Sequence, residues 1–284
     1  MNALTPVNAM TIDVEDYFQV SAMEPYVDRA AWDQVTPRVE NNTHRILDML
    51  AEHETRATFF TLGWVAERFP ALLRRMVAEG HEVASHGWSH VRVINQQPDE
   101  FRDDVTRTKA LLEDVTGQRV RGYRAASYSI GRDNLWALDV LDETGHDYSS
   151  SIFPIHHDLY GMPEAPRFPF HPEGLSLLEI PVTTVMIGER KLPFSGGGWF
   201  RLLPYGAFRW ALKRVNRDDG QSAVFYFHPW EIDPDQPRQK GISAKTRFRH
   251  YLNLGRTEAR LHRLLDEFSW GRMDEIFLGA EPGK

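Results

Sequence analysis

Short apolar runs alternate along the chain with longer stretches in which apolar residues return every three or four positions. The runs "AMTIDVEDYF", "ATFFTLGW", "HEVASHG", "VRGYRAAS", "DYSSSIF", "LSLLEIPVTTVMI" and "SAVFYFHPW" read as about seven strands. Between them lie helical patterns. "NNTHRILDMLAEH" opens on an Asn or Thr cap and carries Ile46, Leu47 and Leu50 on one face. "VAERFPALLRRMVAEG" closes at Gly80, "QPDEFRDDVTRTKALLEDVTG" has an acidic first turn and closes at Gly117, and "NLWALDVLDETG" again ends in Gly. A last amphipathic helix is predicted over roughly 246–268. Strand and helix in alternation imply right-handed βαβ units and a parallel sheet. About seven repeats predict a barrel or broken barrel, with its chemistry at the C-terminal ends of the strands. The Pro- and Gly-rich segment 154–174 reads as a long loop, and "SGGGW" at 195–199 as a second flexible element. No repeat and no linker divides the chain, so a single domain is expected over 1–284.

Composition narrows the chemistry. The 284 residues are enough to bury a substantial core. The net charge of −7, without a basic tract, argues against nucleic acid as a partner. Cysteine is absent, so there is no disulfide framework, and a metal must be held by His, Asp or Glu. The start "MNALTPVNAM" lacks the pattern of a signal peptide, and no stretch approaches the ~18 apolar residues of a membrane span. A cytoplasmic protein is therefore expected, associated if anywhere with the inner face of the membrane. Oligomeric state is not legible.

The ionisable residues at the predicted strand ends converge on one rim. The first strand ends with Asp13, Glu15 and Asp16, the third with His86 and His90, the fourth with Arg124 and the last with His228. Two histidines four apart, if their turn is helical, share a face and chelate one ion. With one carboxylate they leave coordination positions open, as a catalytic Zn²⁺ or related divalent ion requires. Gly87 stands where a zincin protease carries Glu, so the base must come from another strand, and Asp13 is placed to supply it. Strand alternation puts Asp13 and Glu15 on one face and Asp16 on the other, although a turn at the strand end brings Asp16 within reach as well. Arg124 suits a bidentate pair with a carboxylate, and His228, at a strand exit, suits a general acid. Trp88, Trp199 and Trp230, near the same rim, are candidates for stacking on a ligand.

The ordered set "TIDVED", "TFFTLGWVAERFP", "GHEVASHGWSH", "RGYRAASYS" and "FYFHPWE" resembles the polysaccharide deacetylases with a NodB homology domain, of the carbohydrate esterase family 4 type. The stretches "GGGWFRLLPYGAFRWALKRVN" and "HPWEIDPDQPR…RFRHYLNLGRTEARLHRLL" are similar to the C-terminal extension, here within 195–284, of members found beside exosortase and exopolysaccharide genes. The resemblance covers roughly 8–272. It implies a distorted (β/α)₇ barrel and metal-dependent removal of N-acetyl groups from the sugars of an exopolysaccharide or its precursor. The metal implied is Zn²⁺, with Co²⁺ or Ni²⁺ as alternatives. Position by position, it implies Asp13 as general base, Arg124 as the arginine holding that base, His86 and His90 as metal ligands with Glu15 or Asp16, and His228 as general acid. Three positions depart from the family pattern: Val14-Glu15 replaces an adjacent second Asp, Ala126 replaces a Pro, and Ser149 replaces an Asp implied to tune the general acid. Two other readings remain: a hydrolase of cyclic amides on the same barrel, and a non-catalytic carbohydrate-binding protein of polysaccharide export.

Overall fold

A computed structural model describes residues 6–156 and 161–279. The first residues of the N-terminal stretch, and 157–160 of the loop at 154–174, lie outside the described residues. The chain begins with β1 (Asn8–Val14), buried over its whole length, followed by α1 (Val39–Glu52), β2 (Thr58–Thr61), α2 (Gly63–Arg68), α3 (Pro70–Ala78) and β3 (Glu82–Ser85). Next come α4 (Pro98–Thr116), β4 (Gly122–Tyr123), α5 (Trp136–Glu143), β5 (Tyr148–Ser149), β6 (Leu178–Glu179), β7 (Thr184–Ile187) and β8 (Arg190–Pro193). The remainder comprises α6 (Gly197–Leu202), α7 (Tyr205–Arg214), β9 (Val224–Phe227), α8 (Ala244–Tyr251), α9 (Leu254–Glu267), β10 (Trp270–Gly271) and α10 (Met273–Phe277).

Seven parallel strands run in the order β9-β1-β2-β3-β4-β5-β6, and β10 adds to the start of β1. Strand β1 is central: Thr11–Val14 pair with Thr58–Thr61 of β2, while Ala9–Ile12 pair with Val224–Phe227 of β9. This sheet is curled, and among the described residues no ladder joins β6 to β9. The result is a distorted, open (β/α)₇ barrel, as the alternation of elements predicts. Phe200, Phe208, Phe225 and Phe227 fill the core beneath β9, each contributing roughly 1.5–3 kcal/mol by burial. Among the described residues no helix is long and apolar enough to cross a membrane.

Three predicted elements are divided differently, and one expected to be flexible is ordered. The helix expected after β2 breaks between α2 and α3 at Phe69-Pro70, where proline offers no N–H to the preceding turn. The run "LSLLEIPVTTVMI" splits at Pro181: β6 stays in the parallel sheet, and β7 turns away to form an antiparallel hairpin with β8. The last helix divides into α8 and α9 at Leu252-Asn253, where Asn253 takes the left-handed conformation (φ 53°). The "SGGGW" stretch is ordered, opening α6.

Candidate active site

The end of strand β1 supplies Asp13, and Glu15 follows one residue beyond it. Asp13 and Glu15 are both buried and face the C-terminal end of the sheet, where they line a cleft of about 280 Å³ together with His86, His90 and His228. Asp16 points elsewhere. Its carboxylate accepts from the backbone N–H of Tyr17 (2.8 Å), Arg38 (2.6 Å) and Val39 (2.9 Å), so it caps the start of α1. Of the two carboxylates weighed as the third ligand, only Glu15 lies among the histidines.

One ligand atom from each of Glu15, His86 and His90 lies within 4.8 Å of the others. The "HGWSH" turn that makes this possible is not helical, contrary to the condition attached to the spacing. Gly87 and His90 both have positive φ (72° and 55°), and this bend folds the second histidine back over the first, ring centroids 5.2 Å apart. The Nδ1–H of His86 donates to the Arg124 carbonyl at 2.8 Å, leaving Nε2 with a free lone pair. Burial pushes the His86 pKa down to about 4, against a smaller upward pull from Asp13, so the ring is a neutral donor. Burial raises the Glu15 carboxyl, but His90, then His228 and His86, outweigh it and bring it down to about 2. Glu15 Oε2 is 2.9 Å from His90 Nε2. That pairing lacks hydrogen-bond geometry, and both Oε2 and His90 Nδ1 are buried without a hydrogen-bond partner. An anionic oxygen and two buried imidazoles, with Glu15 Oε2 and His90 Nδ1 unpartnered, fit a divalent cation of the zinc type.

Arg124 is completely buried and anchors the base side. It reaches Asp13 through one nitrogen, Nη1 to Oδ1 at 2.6 Å, rather than as the bidentate pair expected. The rest of its fork is spent on Thr11 Oγ1 (2.8 Å), Ser150 O (3.3 Å) and Ser150 Oγ (3.2 Å). Asp13 therefore keeps Oδ2 turned toward the cleft, 3.9 Å from His228 Nε2. The loop after Arg124, expected to loosen with Ala126 in place of Pro, is tied by Ser129 Oγ donating to the Ala126 carbonyl at 2.7 Å.

His228 closes the opposite wall, with Nε2 3.2 Å from Glu15 Oε1. Its Nδ1 is 2.6 Å from Glu231 Oε1, and Glu231 Oε2 in turn accepts from Arg201 Nε at 2.5 Å. Burial lowers the His228 pKa, but the Glu231 hydrogen bond and the charges of Glu15 and Asp13 raise it to about 9. Ser149 is remote from this ring, its hydroxyl spent on Ser151. A carboxylate partner for His228 is thus present, supplied by Glu231. Glu231 and Arg201 escaped sequence reasoning, which stopped at the histidine of "FYFHPWE". The one available signal was a glutamate three residues past a strand-terminal histidine.

Of the three tryptophans, only Trp230 lines the cleft, and its faces are covered by His250 (4.2 Å, 9°) and His228 (5.4 Å, 19°). Trp88 lies under the Arg107 guanidinium at 3.3 Å, and Trp199 does not line the cleft. Trp230, the one of the three in the cleft, is thus already stacked by histidines.

Ionisable groups gathered at the C-terminal ends of a parallel, barrel-like sheet define the class of protein: an α/β barrel with one rim site. Comparison with known proteins narrows the class. Residues 30–148 match the polysaccharide deacetylase family model, and residues 150–278 match a domain of unknown function, DUF3473. Over the first of these spans the chain is similar to polysaccharide deacetylases. It is 31% identical over 115 residues to the peptidoglycan-N-acetylglucosamine deacetylase of Bacillus cereus, covering 36% of this chain and 42% of that one. It is 37% identical over 99 residues to the chitooligosaccharide deacetylase of Bradyrhizobium sp., covering 35% and 43%. The chain thus spans less than half the length of these curated relatives. A crystal structure of a candidate polysaccharide deacetylase from Mycobacterium smegmatis superposes with a TM-score of 0.63 at 22% identity, covering 96% of this chain and 88% of that one, which establishes the shared fold.

Proposed function

We propose that this protein is a metal-dependent N-deacetylase acting on N-acetylated sugars of an exopolysaccharide or its precursor. The observation that carries the reading is the arrangement around one cleft: Glu15, His86 and His90 converge, with Asp13 on one side and His228 on the other. The relatives named above, a peptidoglycan-N-acetylglucosamine deacetylase and a chitooligosaccharide deacetylase, support the substrate class, and the resemblance of the extension within 195–284 to that of exopolysaccharide-locus members supports the particular glycan. Residues 1–284 act as one catalytic unit in this reading, because both matched spans contribute to the same cleft.

Glu15, His86 and His90 are the residues that would hold the ion. When bound, a divalent cation polarises the acetamide carbonyl and lowers the pKa of water. Asp13, oriented by Arg124, takes a proton from the attacking water through Oδ2. The water oxygen forms a bond to the acetyl carbon, and the C–N bond breaks. His228 gives its Nε2 proton to the departing nitrogen, so the products are acetate and a free amino sugar. Acetate release from N-acetylated oligosaccharides, measured beside a panel of cyclic ureides, tests the assignment. Asp13→Asn is expected to lower kcat by at least about 10²-fold, the usual share of a general base. Acetate release unchanged in Asp13→Asn contradicts the role of Asp13, and turnover of ureides alone contradicts the substrate class.

A further inference from the structure

The DUF3473-matched segment holds an ionic chain whose connections go beyond packing. Glu231 is fully buried, Arg201 is 2% exposed, and both oxygens of the carboxylate are engaged. Oε1 meets His228 Nδ1 at 2.6 Å, and Oε2 meets Arg201 Nε at 2.5 Å. Arg201 is pinned from behind, its Nη1 donating to the carbonyls of His250 (3.1 Å) and Leu252 (2.7 Å). The break between α8 and α9 frees the Leu252 carbonyl for this contact, and Asn253 Nδ2 donates back to the Arg201 carbonyl at 2.8 Å. Gly197 completes the fit. A Cβ there would stand 2.1 Å from Glu231 Oε1, so only glycine lets the backbone of α6 pass the carboxylate. A buried ion pair is seldom retained for net stability, since apolar side chains of like volume do as well. One that ends on a histidine facing a reaction cleft calls for a different role.

We propose that Glu231 and Arg201 are positioning residues that hold His228 with its Nδ1–H bound and Nε2 directed at the departing nitrogen, which makes the segment of unknown function the acid half of the active site. The proposal rests on the deacetylase reading above. The carboxylate accepts the Nδ1–H and sets the ring plane, so the proton delivered comes from Nε2. As the C–N bond breaks, its electron pair stays on nitrogen and takes that proton. His228 is left neutral with Nδ1–H still on Glu231, and solvent returns a proton to Nε2. Glu231→Gln breaks this arrangement in a specific way. The amide has one acceptor oxygen for the three donors the carboxylate serves: His228 Nδ1–H, the His228 backbone N–H (3.2 Å) and Arg201 Nε–H. With Arg201 N–H groups claiming that oxygen, the NH₂ faces Nδ1 and forces it to become an acceptor, so a neutral ring carries its proton on Nε2.

The test compares an N-acetylglucosamine oligomer with an aryl acetate ester, whose aryl oxide leaves without needing a proton. In Glu231→Gln the amide-to-ester rate ratio is expected to fall about 10²-fold, the usual share of a general acid, mainly in kcat. Glu231→Asp, which retains a carboxylate, recovers part of the ratio. An unchanged ratio, with both substrates losing rate equally, overturns the proposal, because a purely structural role does not distinguish leaving groups. The second readout needs no turnover. Long-range ¹⁵N–¹H spectra of the purified protein are expected to show His228 Nδ1 protonated in the wild type whether the ring is charged or neutral, whereas in Glu231→Gln the neutral ring carries its proton on Nε2. A wild-type ring with a bare Nδ1 overturns the proposal even if the variant does not fold. If the wild type releases no acetate from any glycan, the deacetylase reading fails while the spectrum still decides the pairing.

Discussion

At the scale of single residues, two adjacent acids just past the end of β1 take opposite duties. Glu15 joins Asp13 in the cleft, whereas Asp16 accepts the backbone N–H groups of Arg38 and Val39 at the start of α1 and that of its neighbour Tyr17. Asp16→Ala removes a buried cap. It is expected to lower unfolding free energy by about 1–3 kcal/mol while leaving metal uptake by the folded protein intact, measured by urea unfolding and metal analysis. Loss of metal binding at full stability contradicts this division of labour. In the sequence, alternation left Glu15 and Asp16 both open as the third ligand, while the set Asp13, His86, His90, Arg124 and His228 could be named from the predicted strand ends. Glu231 and Arg201 were not legible. They lie thirty positions apart, and only packing of α6 against the turn after β9 brings them together. Gly87 was read only as a missing glutamate, but its positive φ is what bends His90 back onto the site.

At the scale of elements, breaks matter as much as regular stretches. The apolar spacing over 246–268 is continuous, so periodicity alone predicts one helix, but the chain interrupts it at Leu252-Asn253. No local signal overrode the pattern, because the reason is tertiary: the Leu252 carbonyl and the Asn253 side chain both serve Arg201. Asn253→Ala loses that hydrogen bond and places a residue less tolerant of φ 53° in the left-handed region. A loss of about 1–2 kcal/mol is expected in chemical denaturation. No change in stability contradicts the tertiary account of the break. The Pro70 and Pro181 boundaries, by contrast, were in plain view and follow from the missing N–H. Strand β10 is two residues long and carries too little pattern to be seen in advance.

At the scale of the whole molecule, buried histidines away from the cleft set the acid limit of the fold. His81 Nδ1 accepts from the Ala57 N–H at 3.1 Å, and burial lowers its pKa to about 4. Burial lowers His146 to about 3. Both pKa values are depressed in the folded state relative to about 6.5 in the unfolded chain, so the unfolded chain binds more protons below that pH. Their stabilisation is complete above about pH 6.5 and drains away as pH falls toward 4 and then 3, at up to about 1.4 kcal/mol per pH unit for each histidine. Urea unfolding at pH 7, 5.5 and 4.5 is expected to show that decline, with a shallower slope in His81→Gln. An equal slope in variant and wild type contradicts it.

The alternation of strands and helices was enough to foresee the open barrel, since each βαβ unit is a local pattern, and the site followed because such barrels gather their chemistry at one rim. The central claim concerns that rim, and metal content beside acetate release tests it most directly. The protein is predicted to retain one divalent ion per chain, to lose acetate release from N-acetylated glycans on chelation, and to regain it with Zn²⁺. Glu15→Gln and His86→Ala are predicted to lose both ion and activity, while Asp16→Asn keeps both. Full activity after complete metal removal, or an ion retained without Glu15 and His86, contradicts the account.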